Sequence, residues 1–481
     1  MNSSSNIVEL IRLAAATRLA APAVIEGTLV LSYGELLAAI DGFAVALAGV
    51  GIKPGQRIAY LGEDSAGHIV ATLAILRLGA VVVPISSSLA GDEADAVLER
   101  IDAHGLLCDA GIPRPDQPAA ELPSPVSGGR PLGWRPRTPH RPDPPGYAGM
   151  NAAFIRFSSG TTGVSKGVLL SHQTIVERTY LADQALRITE ADRVLWLLPM
   201  SYHFVVTILL FLRRGASIIL CNQAFPESLL EAQAAWHGTF LYASPFQHHV
   251  LASTAIVPAT ALADVRMAVS TTMKLPGETA RAFQAKFGLE LSEAYGIIEV
   301  GLPFVSLHSE GGARGSVGRP LPGYELRIEN PDAAGTGSIL LRGPGVFDAY
   351  FSPWQPRAEA CPDGWFHTGD LGYCDAEGRL VIAGREKNVI NFVGMKIFPE
   401  EIEEVINQFP GIRESLVYGT PHPNYGQLPC VKIVPADPAA GVDMAGLRRF
   451  CISRLAPHKV PKAFDLVPAL ERTPSGKLRR K

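Results

Sequence analysis

The stretch FSSGTTGVSKGVLLSH, Phe157 to His172, gathers glycines, hydroxyl side chains and one lysine into a single short run. Glycines let backbone amides approach a ligand closely, and Ser or Thr hydroxyls add donors, so such a loop suits a polyanion such as a nucleotide phosphate. It is not a P-loop. That motif needs G-x-x-x-x-G-K-[ST] opening a helix. Here Gly160 is followed five residues later by Ser165, then by Lys166 and Gly167, and Val168-Leu169-Leu170 reads as a strand. Taken alone, the run also suits a flexible Gly/Ser turn in a hairpin, so other residues must decide.

Such residues need a scaffold, and 481 residues are too many for one compact core, so several structural units are expected. Apolar residues make up 47%, charged residues 19%, and the net charge is -3. That balance gives no electrostatic reason to expect a nucleic-acid or anionic-membrane partner. Cys108, Cys221, Cys361, Cys374, Cys430 and Cys451 are scattered, without zinc spacing, and read as buried thiols of a cytoplasmic protein. The N-terminus places Ile7, Leu10, Ile11 and Ala14 on one face, interrupted by Glu9 and Arg12, an amphipathic helix and not a signal peptide. The strongest apolar run, Phe204 to Leu212, ends at Arg213-Arg214, well short of the ~20 residues that span a bilayer. No membrane span is expected.

Ala66 to Leu78 has helical spacing and feeds a short strand at Ala80 to Pro84; strands at 193–198, 216–220 and 265–269 and a helix at 207–212 repeat the alternation. The pattern predicts an α/β fold with largely parallel sheets. Residues 112–145, rich in Pro, Gly, Arg and Ser, read as an irregular connection. After about Gly315 short strands (324–328, 338–342, 379–383) predict a β-rich subdomain. In PEEIEEVINQFPG, Pro399 suits a first helical turn, Glu400 and Glu401 suit the N-terminal dipole, and Ile402, Val405, Ile406 and Phe409 form the apolar stripe of a helix ended by Pro410-Gly411.

Four further segments make the opening loop specific: SEAYGIIEVG (292–301), GWFHTGDLG (364–372), GREKNVINFVGMKIFPEEIE (384–403) and RTPSGKL (472–478). In that order, and over nearly the whole chain, they resemble the adenylate-forming superfamily of acyl-CoA synthetases, peptide-synthetase adenylation domains and firefly luciferase. The resemblance implies a large N-terminal part, 1–386, of two α/β subdomains and a β-rich one. It also implies a small mobile α+β C-terminal domain, 387–481.

It implies residue roles as well. Ser158, Ser159, Gly160, Thr161, Thr162 and Gly163 would cradle the triphosphate of ATP, with Lys166 over its outer phosphates. Glu299, with Thr162, would hold Mg²⁺, which bridges phosphate oxygens. Asp370 would accept both ribose hydroxyls, and Arg385 would touch ribose and phosphate. Tyr295 would stack on adenine beside Thr272, with Glu293, Ala294 and Gly296 completing the nucleotide site. Lys477, in RTPSGK, would reach carboxylate and phosphate during adenylation, where a mobile charge can follow the developing negative charge. Lys387 would be the hinge, and Gly394 would lie where a pantetheine arm passes. Outside this constellation Asp370 reads as a turn aspartate, Glu299 as a helix-cap acid, Tyr295 as a core aromatic, Gly394 as a turn glycine and Lys477 as part of a solvated tail.

Two departures stand out. Ile298 replaces the usual threonine in YGIIE, removing a phosphate-facing hydroxyl, and STTMKLP (270–276) is bulkier than the family's Gly-rich turn. In LPMSYHF (198–204), His203 or Tyr202 takes the place of the family's gate over the carboxylate; a core histidine is the alternative. The aspartate that binds an amino group is not evident there, which favours a non-amino acid. Tyr202, His203, Phe246, Gln247 and His248, with Ala294 and Gly301, suggest an aromatic, partly polar pocket for an aryl or short-to-medium acid. The implied activity is a two-step ligase that uses ATP and Mg²⁺ and passes the acyl group to coenzyme A or to the phosphopantetheine of a carrier protein acting in trans. A luciferase-like oxygenase shares the adenylation motifs. A non-catalytic acyl-nucleotide-binding protein predicts loss of Lys477, Asp370 or Glu299, all of which are present.

Overall fold

Val81–Ser86 and Gly105–Asp109 are almost wholly apolar and buried on both faces, as interior strands of a sheet covered on both sides must be. A computed structural model describes residues 6–89, 91–114, 117–157, 166–221, 223–307, 315–393, 395–439, 441–472 and 478–480. The chain divides into two compact units, one of 1–325 and 342–366, the other of 326–341 and 367–481.

The first unit holds two large sheets. One runs, in spatial order, Gly301–Ser306, Leu291–Ile297, Met267–Ser270, Phe240–Ala243, Arg193–Trp196, Ser217–Leu220, Pro22–Glu26 and Leu29–Ser32. Its interior pairs are parallel and both edges antiparallel. In such sheets ligands gather beyond the carboxyl ends of the strands, and the segments after Ser270 and around Tyr295 lie at those ends. The other sheet is nine-stranded, with Ala152–Phe157 between Gly167–Ser171 and Val81–Ser86. The opening loop therefore joins two antiparallel neighbours of one sheet. Residues 158–165 themselves lie outside the described residues.

In the second unit, Glu325–Glu329, Gly337–Arg342, Phe366–Cys374 and Leu380–Arg385 form a four-stranded sheet, of whose residues Glu325, Arg342 and Phe366 belong to the first unit. A five-stranded sheet follows, and the helix Pro399–Ile406 buries Ile402 and Ile406 against Val417, Val431 and Ile433. The junction Glu386–Asn388 is a short 3₁₀ turn inside this unit.

Three expectations change. The 112–145 segment is not wholly irregular: Ala120–Leu122 and Leu132–Pro136 extend the nine-stranded sheet, Leu132 and Trp134 being buried and the latter strand pairing with Gly105–Asp109. Helix begins at Met200, not Thr207, and passes through a π turn, Phe204–Ile208, before Leu209–Arg213. Five cysteines are buried thiols, but Cys374 is exposed at the end of its strand. Among the described residues no helix is long and apolar enough to cross a membrane.

Candidate active site

Ser171 caps the helix His172–Leu186, its hydroxyl accepting from Thr174 N at 3.1 Å while Asp348 takes the Ser171 N–H at 2.6 Å. Two turns along, Arg178 is buried and donates to the carbonyls of Gly345 (2.6 Å), Ile298 (2.8 Å) and Glu299 (2.7 Å). Burial pulls its pKa down to about 10, which still leaves it charged at neutral pH. The YGIIEVG turn is thus gripped through its backbone, and Ile298 keeps its place without a hydroxyl. Gly301 has φ +99°, and a Cβ there would come 3.0 Å from Arg178 Cγ; one on Gly296 would come 2.7 Å from the Gly301 oxygen. Neither glycine can be enlarged without moving the turn.

The Glu299 carboxylate receives the Tyr350 hydroxyl at 3.4 Å, and Lys166 Nζ sits 4.3 Å from the centre of the Tyr350 ring. Sheet pairing causes this: Tyr350 lies opposite Val168, on the strand that Lys166 precedes. Burial, then the Glu299 charge, raise the Tyr350 phenol far above its usual value, so it remains a donor. A lysine and a carboxylate are thereby brought to one ring. One carboxylate plus substrate phosphates is the donor set Mg²⁺ accepts, so Glu299 fits a metal held with ATP; among the described residues no group of three or more metal-binding side chains stands apart from it.

Glu293, 8% exposed, accepts from Leu275 N at 3.1 Å, and burial pushes its pKa up to about 7 against the pull of that bond and Lys274. Its neighbour Ala294 is buried, with its carbonyl taking the Thr271 hydroxyl at 3.4 Å. Tyr295 is half-buried, its ring 5.9 Å from that of Phe304. Thr272, in the bulky turn, has φ +78°, a region costly for a β-branched residue.

Tyr202 and His203, both half-buried, close the short helix Met200–His203 with their N–H groups on the Pro199 carbonyl, each at 3.1 Å. The Tyr202 carbonyl is taken by Arg156 from the neighbouring sheet. Phe246 is 65% exposed at the start of Pro245–Ser253. Gln247 completes the capping box of that helix and donates to Leu197 O at 2.9 Å. His248 is a core residue, Nε2 at 3.2 Å from Val269 O and its ring edge-on to Phe283; burial lowers its pKa to about 4, so it is neutral. The pocket expected around Gln247 and His248 is therefore corrected: one is a helix cap, the other core packing.

In the second unit Asp370 and Arg385 are cross-strand partners, Arg385 Nε lying 2.6 Å from the buried Asp370 Oδ1. Thr368 braces both, its hydroxyl accepting from Asp370 N at 3.0 Å and its carbonyl from Arg385 at 3.4 Å. Lys387 is exposed in the 3₁₀ turn, its pKa lowered by partial burial and then by Arg385. Gly394 and Lys477 lie outside the described residues, as do Ser158, Ser159, Gly160, Thr161, Thr162 and Gly163. Residues flanking 473–477 are tied together: Arg472 bridges to Leu478, and Arg479 N bonds Glu471 O at 2.9 Å. Arg480, largely buried, places its two terminal nitrogens 2.6 and 2.7 Å from the two oxygens of Glu403.

A family model described as AMP-binding enzyme matches residues 11–351, and one described as AMP-binding enzyme C-terminal domain matches 401–477. The chain belongs to the AMP-binding enzyme family. This AMP-binding enzyme is 33% identical to a sulfoacetate–CoA ligase of Cupriavidus necator over 486 residues, 94% of this chain and 91% of the relative. It is 28% identical to an indoleacetate–CoA ligase of Aromatoleum aromaticum, over 94% and 92% of the two chains. Among solved structures it is similar to ATP-bound MatB from Rhodopseudomonas palustris, with TM-score 0.83, 27% identity and 98% and 97% coverage. It is also similar to the AMP complex of o-succinylbenzoate coenzyme A synthetase (MenE) from Bacillus subtilis, with TM-score 0.81, 25% identity and 98% and 96% coverage. The family and the α/β class expected from sequence are both borne out.

Motif reading did not single out Arg156, Arg178 or Tyr350. The signal for Arg156 was present, a charged residue inside the apolar strand sequence AAFIRF. Nothing local marks Tyr350, whose partners come from other parts of the chain.

Proposed function

We propose that this AMP-binding enzyme is an AMP-forming acid–thiol ligase. A carboxylate attacks the α-phosphorus of ATP to give acyl-adenylate and pyrophosphate; a thiol then attacks the acyl carbon, forming the thioester and releasing AMP. The observation that carries the reading is the Lys166–Tyr350–Glu299 arrangement, a cation and a metal-competent carboxylate held on one aromatic ring beside the Gly/Ser loop. Attack of one anion on another needs such charge neutralisation and alignment.

In this reading Ser158 to Gly163 and Lys166 hold the triphosphate, Tyr295 and Thr272 flank adenine, and Asp370 and Arg385 serve the ribose. Mg²⁺, held by Glu299 with Thr162, supplies charge neutralisation at the phosphates. Lys477 stabilises the charge that develops during adenylation. Lys387 is the pivot between residues 1–386 and 387–481, and Gly394 borders the thiol's path. Coenzyme A is the favoured acceptor, since the curated relatives named above are CoA ligases; a trans-acting carrier protein is the alternative donor of the same pantetheine thiol. The substrate is a small non-amino acid, aryl or short-to-medium in chain, and the setting is cytoplasmic.

The test is a carboxylic-acid panel assayed for ATP-dependent pyrophosphate release, repeated with coenzyme A and with a holo carrier protein. Lys477→Ala should abolish most adenylate formation yet leave thioester formation from supplied acyl-adenylate largely intact. Equal loss of both half-reactions would sink the two-orientation account.

A further inference from the structure

Arg156 breaks the apolar run of Ala152–Phe157, and it is only 7% exposed. Two residues earlier on the same face, Phe154 lies 6.1 Å, ring to ring, from Phe204. That face is turned to the segment bearing Tyr202 and His203. Among the described residues the Arg156 guanidinium makes one hydrogen bond, to the Tyr202 carbonyl, and no carboxylate lies within ion-pair distance. Arg178 is buried too, but three carbonyls answer its donors.

A guanidinium carries five N–H donors in a planar fork, so one carbonyl leaves most of Arg156 unanswered. Burial lowers its pKa to about 10, with the Arg178 charge acting in the same sense and Glu299 and Tyr202 opposing. It remains a cation at neutral pH. Buried cations are held by anions or full sets of acceptors, and the nearby Glu299 carboxylate is already engaged by Tyr350. Beside the Tyr202 phenol stand the Ser86 hydroxyl and the Glu93 carboxylate, but Glu93 is not among the charges that act on Arg156.

Resting on the ligase reading, we propose that Arg156 receives a second anionic group of the substrate, so that the acid activated is a short one with a carboxylate or sulfonate at its far end. The fork of a guanidinium matches either group through paired N–H bonds. A buried donor set built for an anion also rejects the uncharged acid of equal length, because that acid would leave the cation unpaired.

The test compares acids matched in length that end in methyl, carboxylate or sulfonate, by pyrophosphate release with wild type, Arg156→Lys and Arg156→Gln. Wild type should favour one or both anionic acids by at least ~10-fold in kcat/KM. Arg156→Gln should lose that preference, chiefly through KM for the acid, with KM for ATP little changed; Arg156→Lys should keep part of it. The carboxylate and sulfonate arms tell which anion the site takes. Wild type preferring the methyl-ended acids overturns the inference while leaving the ligase reading intact, and so does a loss in Arg156→Gln that is uniform over the panel or falls on ATP. Absence of pyrophosphate release with every acid overturns both.

Discussion

Lys166 and Glu299 meet on opposite parts of one side chain, the lysine over the ring of Tyr350 and the carboxylate at its hydroxyl. Tyr350→Phe keeps the ring and removes the donor. A hydrogen bond to a charged group is worth about 1.5–3 kcal/mol, and at 3.4 Å the lower figure applies, so the Mg²⁺ concentration for half-maximal adenylation should rise about 10-fold. Tyr350→Leu should in addition raise KM for ATP, since a cation–π contact contributes about 1 kcal/mol. Titrating pyrophosphate release with Mg²⁺ and with ATP separates the two effects. An unchanged Mg²⁺ requirement in Tyr350→Phe would remove the tyrosine from the site.

The pairing of Arg480 with Glu403 turns the end of what reads as a basic tail into an anchored residue. Removing one member of a buried ion pair costs about 3–5 kcal/mol, whereas replacing both with apolar groups is often close to neutral. Arg480→Met should therefore lower stability by about 3 kcal/mol and slow adenylation more than thioester formation, and Arg480→Met with Glu403→Met should regain much of the stability. Urea unfolding and the two half-reactions provide the readouts. Equal stability of Arg480→Met and wild type would show that the pair does not anchor the tail.

Thr272 has a left-handed backbone, with φ +78°, in the bulky turn 270–276. Such strain costs of order 1–3 kcal/mol, and glycine returns about 0.5–1 kcal/mol of it as unfolded-state entropy. Thr272→Gly should come out stabilising by about 1 kcal/mol, against the usual direction for a new glycine. A drop in the urea midpoint would count against strain at this turn.

The pH dependence turns on Glu293, raised from 4.5 to about 7 by burial. Between those values the folded chain keeps a proton that the unfolded chain has lost, so this group makes stability fall as pH rises through the window. Buried His68, His172 and His248, each lowered to about 4, act the other way and lose stability as pH falls below 6.5. Glu293→Gln removes the first effect alone. Its stability relative to wild type should climb with pH by about 1.4 kcal/mol per unit between 4.5 and 7. A flat difference in urea unfolding across that range would show that Glu293 titrates at its ordinary value.

Much of the candidate site was legible because its residues lie in short motifs whose local structure is self-contained. Asp370 and Arg385, chosen from separate motifs, turn out to face each other across one strand pair. Other features depend on packing that no local pattern encodes. Tyr350 reaches Lys166 only because its strand pairs with Gly167–Ser171. The Pro- and Gly-rich spacing of 112–145 hides the last two strands at one end of the nine-stranded sheet, too short to be read, and the apolar run at 204–212 carries no mark of its π turn. His248 looked like a pocket residue because a histidine beside an aromatic is ambiguous until its burial is known.

Cys374 ends the strand that carries Asp370 and is the cysteine on the outside, the other five being buried. A thiol-reactive fluorophore would therefore attach there first, most readily at mildly alkaline pH, since burial and Asp375 raise the thiol pKa. Four residues of strand put the label ~13 Å from Asp370. The wild-type chain thus offers its own attachment point for an optical label near Asp370, the residue proposed to serve the ribose, without an engineered cysteine.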